Sequence, residues 1–119
     1  MAYINAVSAP MLAPLLAALA DPTRRAIYES LHGAPRPVGE IAHGFPVSRP
    51  AVSQHLKALR QAGLVTETRM GTRHLYAADP AAALELRNYF QAMWERAMRA
   101  YTAHVATEES RRVRKPRRT

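Results

Sequence analysis

Gly63 separates two kinds of hydrophobic periodicity, and this limits the folds open to the chain more than any other feature. Before it, Val52, Leu56 and Leu59 recur at helical spacing behind a Ser48 cap, and Gly63 supplies the left-handed residue that stops a helix after Ala62. After it, Leu64–Arg69 and Arg73–Ala77 read as two short strands joined at Met70-Gly71-Thr72. Asp79-Pro80 then gives a cap followed by proline at the first helical position, where no amide donor is needed. The 3.6 period resumes there and runs through Leu86, Phe90, Met93, Trp94, Ala97, Met98, Tyr101 and Val105.

Upstream, Leu12, Leu15, Leu16 and Leu19 form a helical stripe. Asp21-Pro22 opens the next helix, which turns Ala26, Ile27 and Leu31 inward and is expected to end at Gly33. Pro35 and Pro37 mark a loop; Val38–His43 is a short helix, broken by Gly44-Phe45-Pro46-Val47. The order predicts a mainly α fold: a winged helix-turn-helix, α-α-α-α-β-β-α, in one domain over residues 1–110. The basic tail, residues 111–119, is expected to be disordered.

The segment MLAPLLAALA has the look of a secretion-signal core, but no Lys or Arg precedes it and Pro14 interrupts it. It is also too short to span a bilayer. It reads as an amphipathic helix, so a cytoplasmic protein without a membrane partner is expected. The chain has no cysteine, which excludes disulfides, thiolate metal sites and thiol redox switching.

The net charge of +8 is unevenly spread. Six basic residues and no acidic one lie in 111–119, while Arg49, Lys57, Arg60, Arg69 and Arg73 face only Glu67 between positions 49 and 73. A positive patch on a nearly neutral body suits a polyanion, although charge alone fits a solvated basic face equally well.

The Ser48–Ala62 helix adds the discriminating pattern. With Val52, Leu56 and Leu59 facing the core, Pro50, Gln54, Lys57 and Gln61 fall opposite, with Arg49, Ser53 and Arg60 on one flank. Side chains of this kind can read base edges in a major groove and contact phosphate. The expected DNA-binding set is Ser48, Arg49, Pro50, Ser53, Gln54 and Lys57, with Arg49, Pro50, Ser53 and Gln54 reaching bases and Lys57 a phosphate. Arg69, Thr72 and Arg73 around Gly71 would place the hairpin tip on the backbone or in the minor groove. His55 reads as a packed or phosphate-neighbouring histidine. No Gly-rich phosphate loop or nucleophile–base constellation can be assembled, so no enzyme and no cofactor are expected.

Three stretches in order, LADPTRRAIYESL at 19–31, VGEIAHGFPVSRPAVSQHLKALRQAGLV at 38–65 and RMGTRHLY at 69–76, closely resemble the ArsR family of winged helix-turn-helix repressors. The resemblance covers about residues 12–105. It implies a homodimer that binds double-stranded DNA at an imperfect inverted repeat near a promoter, often its own, and blocks transcription. It also implies a dimer interface built from the first and last helices. That assigns Leu12, Leu15, Leu16 and Leu19, together with Phe90, Met93, Trp94, Ala97, Met98, Tyr101 and Val105, to the interface.

The departures from the family bear on sensing. Where many members carry cysteines before the turn, this chain has Glu40-Ile41-Ala42-His43. His104 and Glu108 have one-turn spacing on the last helix, but no suitable Asp or His precedes them. No metal site is therefore assigned, and the chain resembles the metal-independent, autorepressor-like branch; no residue pattern selects an inducer. A metal-responsive repressor using His104 and Glu108, and a protein-interaction module acting through the last helix, are the competing readings.

Overall fold

The computed structural model describes residues 12–114, which fall into two units, one running through Leu86 and the other starting at Arg87. In the first unit, helix α1 covers residues 12–19 and α2 covers Pro22–Glu29. Strand β1 is Arg36–Pro37, followed by α3 (Val38–His43) and α4 (Arg49–Ala62). Strands β2 (Val65–Met70) and β3 (Arg73–Ala78) form the hairpin, and α5 (Pro80–Arg114) begins in this unit. The winged helix-turn-helix order read from the sequence is observed, with one added two-residue strand, β1, before α3.

Local chemistry explains the boundaries. The Asp21 carboxylate accepts from the Arg24 amide at 2.9 Å and caps α2, with Pro22 in its first turn. The helix ends four residues before the expected Gly33: Ser30 turns its hydroxyl back onto the Ile27 carbonyl at 2.7 Å, and Leu31 drops into the core. Ser48 caps α4 by accepting from the Ala51 amide at 3.2 Å. At the other end Gly63 has φ +92, and the Leu64 amide donates to the Leu59 carbonyl at 2.9 Å, closing a Schellman motif. Leu64 is thereby spent on the helix cap, so β2 starts one residue later than expected.

The Pro35–Pro37 stretch, expected as loop, contributes a strand. Arg36 pairs with Tyr76 and Pro37 with Leu75, making a three-stranded antiparallel sheet in the order β1-β3-β2. Proline is tolerated because β1 is an edge. The β2–β3 register runs from Val65 opposite Ala78 to Met70 opposite Arg73. The two-residue turn Gly71-Thr72 needs its glycine, whose φ is +64.

The core joins every helix of this unit. Ile27, Leu31, Ile41, Val52, Leu56, Leu59 and Leu64 are fully buried, with Leu15, Ala18, Val65 and Ala82 around them. Of the stripe assigned to a dimer face, Leu12 and Leu15 are buried within the chain itself, and Leu15 is part of this core. Leu16 is half-buried, and Leu19 packs against the core cluster.

In the second unit α5 continues as an unbroken helix to Arg114, four residues into the stretch read as a tail. Residues 115–119 lie outside the described residues. Phe90 (50% exposed), Met93, Trp94 (61%), Met98, Tyr101 (63%) and Val105 are all open to solvent, and so is Ala97. Single exposed apolar residues are ordinary, whereas an aligned run with three large aromatics is not.

Candidate nucleic-acid interface

Helix α4 divides cleanly. Val52, Leu56 and Leu59 have no exposure at all, while Ser48, Arg49, Pro50, Ser53, Gln54 and Lys57 are exposed. The buried side is held by α2 and α3, so the polar side is presented from a rigid base. Pro50, Gln54, Lys57 and Gln61 form its outward face; Arg49, Ser53 and Arg60 lie on the flank that meets the wing.

The wing is the β2–β3 hairpin. Its register places Val65, Glu67 and Arg69 on one face with His74, Tyr76 and Ala78. Arg69, Thr72 and Arg73 are exposed at and beside the tip, together with Met70.

An open cleft of about 470 Å³ lies between α4 and the wing. It brings together Arg49 and Ser53 from α4 with Thr72, Arg73, His74 and Tyr76 from the hairpin. Beside it, Gly39 on α3 receives the Arg49 guanidinium: a Cβ at position 39 would lie 3.6 Å from Arg49 Cζ and Nη1. An alanine there would sit in ordinary van der Waals contact with the arginine, and a side chain reaching beyond Cβ would press on it.

Glu67 also lines this cleft and anchors the wing to α4. Its carboxylate accepts from Tyr76 Oη at 3.2 Å, pairs with Arg60 Nη1 at 3.3 Å and accepts from the His74 ring Nδ1. The hydrogen bond from His74 is the main reason its carboxyl is held below the usual carboxylate range, with Tyr76 and Arg60 adding to it and partial burial opposing it. Desolvation, and then the Glu67 charge, push the Tyr76 hydroxyl up. Three donors on one carboxylate fix the strand pair against the last turn of α4.

A family model described as a helix-turn-helix domain matches residues 19–68. An HTH-type transcriptional regulator of Mycobacterium tuberculosis is 50% identical over 91 residues, which span 76% of this chain and 85% of that protein. An ArsR-like transcriptional regulator from Rhodococcus sp. RHA1 superposes with a TM-score of 0.63 at 33% identity, covering 79% of this chain and 92% of that one. The chain belongs to the ArsR family of winged helix-turn-helix transcriptional regulators. A further match is the homodimeric winged helix-turn-helix DNA-binding domain of a Mycobacterium bovis protein described as a possible ArsR-family transcriptional regulator. Its TM-score is 0.62 at 29% identity, with 76% of this chain and 84% of that one covered.

In ArsR terms α3, its turn and α4 are the helix-turn-helix, and β2–β3 is the wing. Of the expected residues the structure brings only four together in the cleft, and Ser48 and Arg69 are exposed outside its lining. Pro50, Gln54 and Lys57 stand on the outward face, whereas Arg49 and Ser53 share the cleft with Thr72 and Arg73. Glu67 and Tyr76 were not among the residues singled out. The signal for them lay in register: a two-residue turn at Gly71-Thr72 sets Glu67 opposite Tyr76 and diagonal to His74.

His55 is half-buried with its ring Nδ1 lacking a partner, and its charge helps lower the Asp21 carboxyl after the larger effect of the Arg24 amide. On α5, the Glu108 carboxylate is paired with Arg111 at 3.3 Å. Among the described residues no three His, Asp or Glu side chains gather as a metal site, and no helix is long and apolar enough to cross a membrane.

Proposed function

We propose that this ArsR-family regulator is a cytoplasmic homodimeric repressor that binds an inverted-repeat operator near a promoter and occludes it. The observation that carries the reading is the pairing of a polar, solvent-facing α4 side with a basic wing tip on the same unit. Pro50 and Gln54 supply contacts to base edges, Lys57 supplies a phosphate contact, and Arg69, Thr72 and Arg73 bring the wing to the backbone or minor groove. Ser48 caps the helix at its DNA-facing end.

Dimerisation is supported by the exposed α5 stripe of Phe90, Met93, Trp94, Ala97, Met98, Tyr101 and Val105. On the first unit, half-buried Leu16 and the open part of Leu19 are what α1 leaves for a partner, since Leu12 and Leu15 are already buried within the chain. Two α4 helices about 34 Å apart would then enter successive major grooves on one side of the duplex. The metal-independent assignment is supported by the absence of cysteine.

Selection of bound sequences from random DNA tests the whole reading. Two symmetric half-sites spaced by one helical turn are expected, with binding that weakens steeply as salt rises. Recovery of no sequence, or of one lacking twofold symmetry, would overturn it.

A further inference from the structure

The cleft between α4 and the wing is lined by two arginines that the chain itself leaves without an anion. Arg49 and Arg73 both line it, and among the described residues neither makes an ion pair. The carboxylate in the same cleft does not compensate them, because Glu67 is taken up by Arg60, His74 and Tyr76. Arg60 and Glu67 cancel, and the cleft keeps the two positive charges of Arg49 and Arg73. Ser53 and Thr72 add a hydroxyl from each wall. Cationic and hydroxyl donors on two facing elements, with the local acid already satisfied, suit a tetrahedral oxyanion better than a planar base edge.

The placement of Arg49 points the same way. Its guanidinium is laid against Gly39 on α3, on the wing-side flank of α4, away from the outward face that carries Pro50, Gln54 and Lys57. Ser53 shares that flank. A side chain packed there cannot follow the base edges that the outward face meets without giving up its seat on Gly39.

We propose that this cleft seats one backbone phosphate of bound DNA, held between Arg49 and Arg73 with the hydroxyls of Ser53 and Thr72. Arg49 and Ser53 are then positioning residues that set the register of α4 on the duplex, and base reading falls to Pro50 and Gln54. The Glu67 network keeps the acid away from the two arginines and holds the wing at the distance the phosphate requires. The inference rests on the DNA-binding reading above.

The test uses the full chain, a duplex carrying its selected site and a scrambled duplex, with affinity measured across a salt series. Arg49→Ala and Arg73→Ala should each weaken both duplexes alike, by roughly tenfold per bound protomer. In the double variant the combined loss should be smaller than the product of the two single losses. Its slope of log affinity against log salt should fall by about 0.9 per protomer, the contribution of one phosphate. Sequence preference should be unchanged in all three.

Multiplicative losses with a slope change of about 1.8 per protomer would mean two separate phosphates and would overturn the shared seat. Relaxed preference at one base pair in Arg49→Ala would overturn it too, by making Arg49 a base reader. A double variant that binds as tightly as the unaltered protein refutes the seat while leaving the DNA reading intact. Failure of the unaltered protein to bind any duplex refutes the DNA reading, and the seat with it.

Discussion

Replacing Trp94 by alanine tests the dimer at the largest side chain that the α5 stripe leaves open. Trp94 is 61% exposed. Of the roughly 200 Å² that a tryptophan can bury, about 120 Å² is therefore left for a partner. At about 25 cal/mol per Å² this is worth about 3 kcal/mol in each protomer. A twofold interface counts the loss twice, giving an upper bound of about 6 kcal/mol. Incomplete burial and the ordering of neighbouring side chains reduce this to about 3–4 kcal/mol, a rise of several hundred-fold in the dimer dissociation constant. Sedimentation equilibrium measures that constant directly. The chain has a single tryptophan, so its emission is a second readout: dilution of the native protein should shift it to the red as the dimer separates. A dissociation constant within threefold of native, together with emission that dilution does not move, would refute the assignment of Trp94 to the interface.

Three further outcomes follow from the first unit. Leu56→Ala empties a fully buried position in the core and should lower the unfolding free energy in urea by about 2–5 kcal/mol; a loss under about 1 kcal/mol would show that the core collapses freely around it. Gly63→Ala meets nothing within 4 Å but forces a Cβ onto φ +92, so urea unfolding should register a backbone cost alone, about 1–2 kcal/mol. Glu67 has a folded pKa depressed mainly by His74, so its stabilisation is full above its unfolded value and fades as pH falls through the folded one. The difference in unfolding free energy between native protein and Glu67→Gln should accordingly be widest near neutrality and close under acid. A difference that stays constant from neutral pH to well below the carboxylate range would contradict that linkage.

The elements were legible where each boundary is enforced by a local rule. Asp21-Pro22, Ser48 and Gly63 act through their own side chains or backbone freedom, and the structure uses all three as caps. The end of α2 was misplaced because Gly33, with φ +135, marks a turn that comes after the helix has already stopped at Ser30. Strand β1 was hidden for a different reason: two residues flanked by prolines carry no period, and only pairing with Tyr76 and Leu75 makes them a strand. The amphipathic stripe of α1 told that Leu12 and Leu15 would be covered but could not tell by what, since intramolecular and intermolecular burial leave the same pattern in one chain. On the DNA-facing side, helical angles sorted α4 into faces correctly. They could not show that one flank would be closed by the wing, because that contact depends on the hairpin register.

That register gives the acidic residue of the interface its role. Glu67 is the one acid between positions 49 and 73, and as bare charge it would weaken a surface built for a polyanion. Its carboxylate instead collects three donors from two elements, so its charge is spent on Arg60 and on holding β3 to α4. An apolar residue at this position would leave Arg60 unpaired and remove the acceptor shared by His74 and Tyr76. The hairpin would then be tied to α4 mainly by the apolar contacts of Val65 and Ala78 at its base, far from the tip that carries Thr72 and Arg73. A loose tip must be ordered each time DNA binds, and that entropic cost opposes affinity. In the proposed complex the acid would therefore favour DNA binding through geometry, by fixing where the cationic tip stands before the duplex arrives.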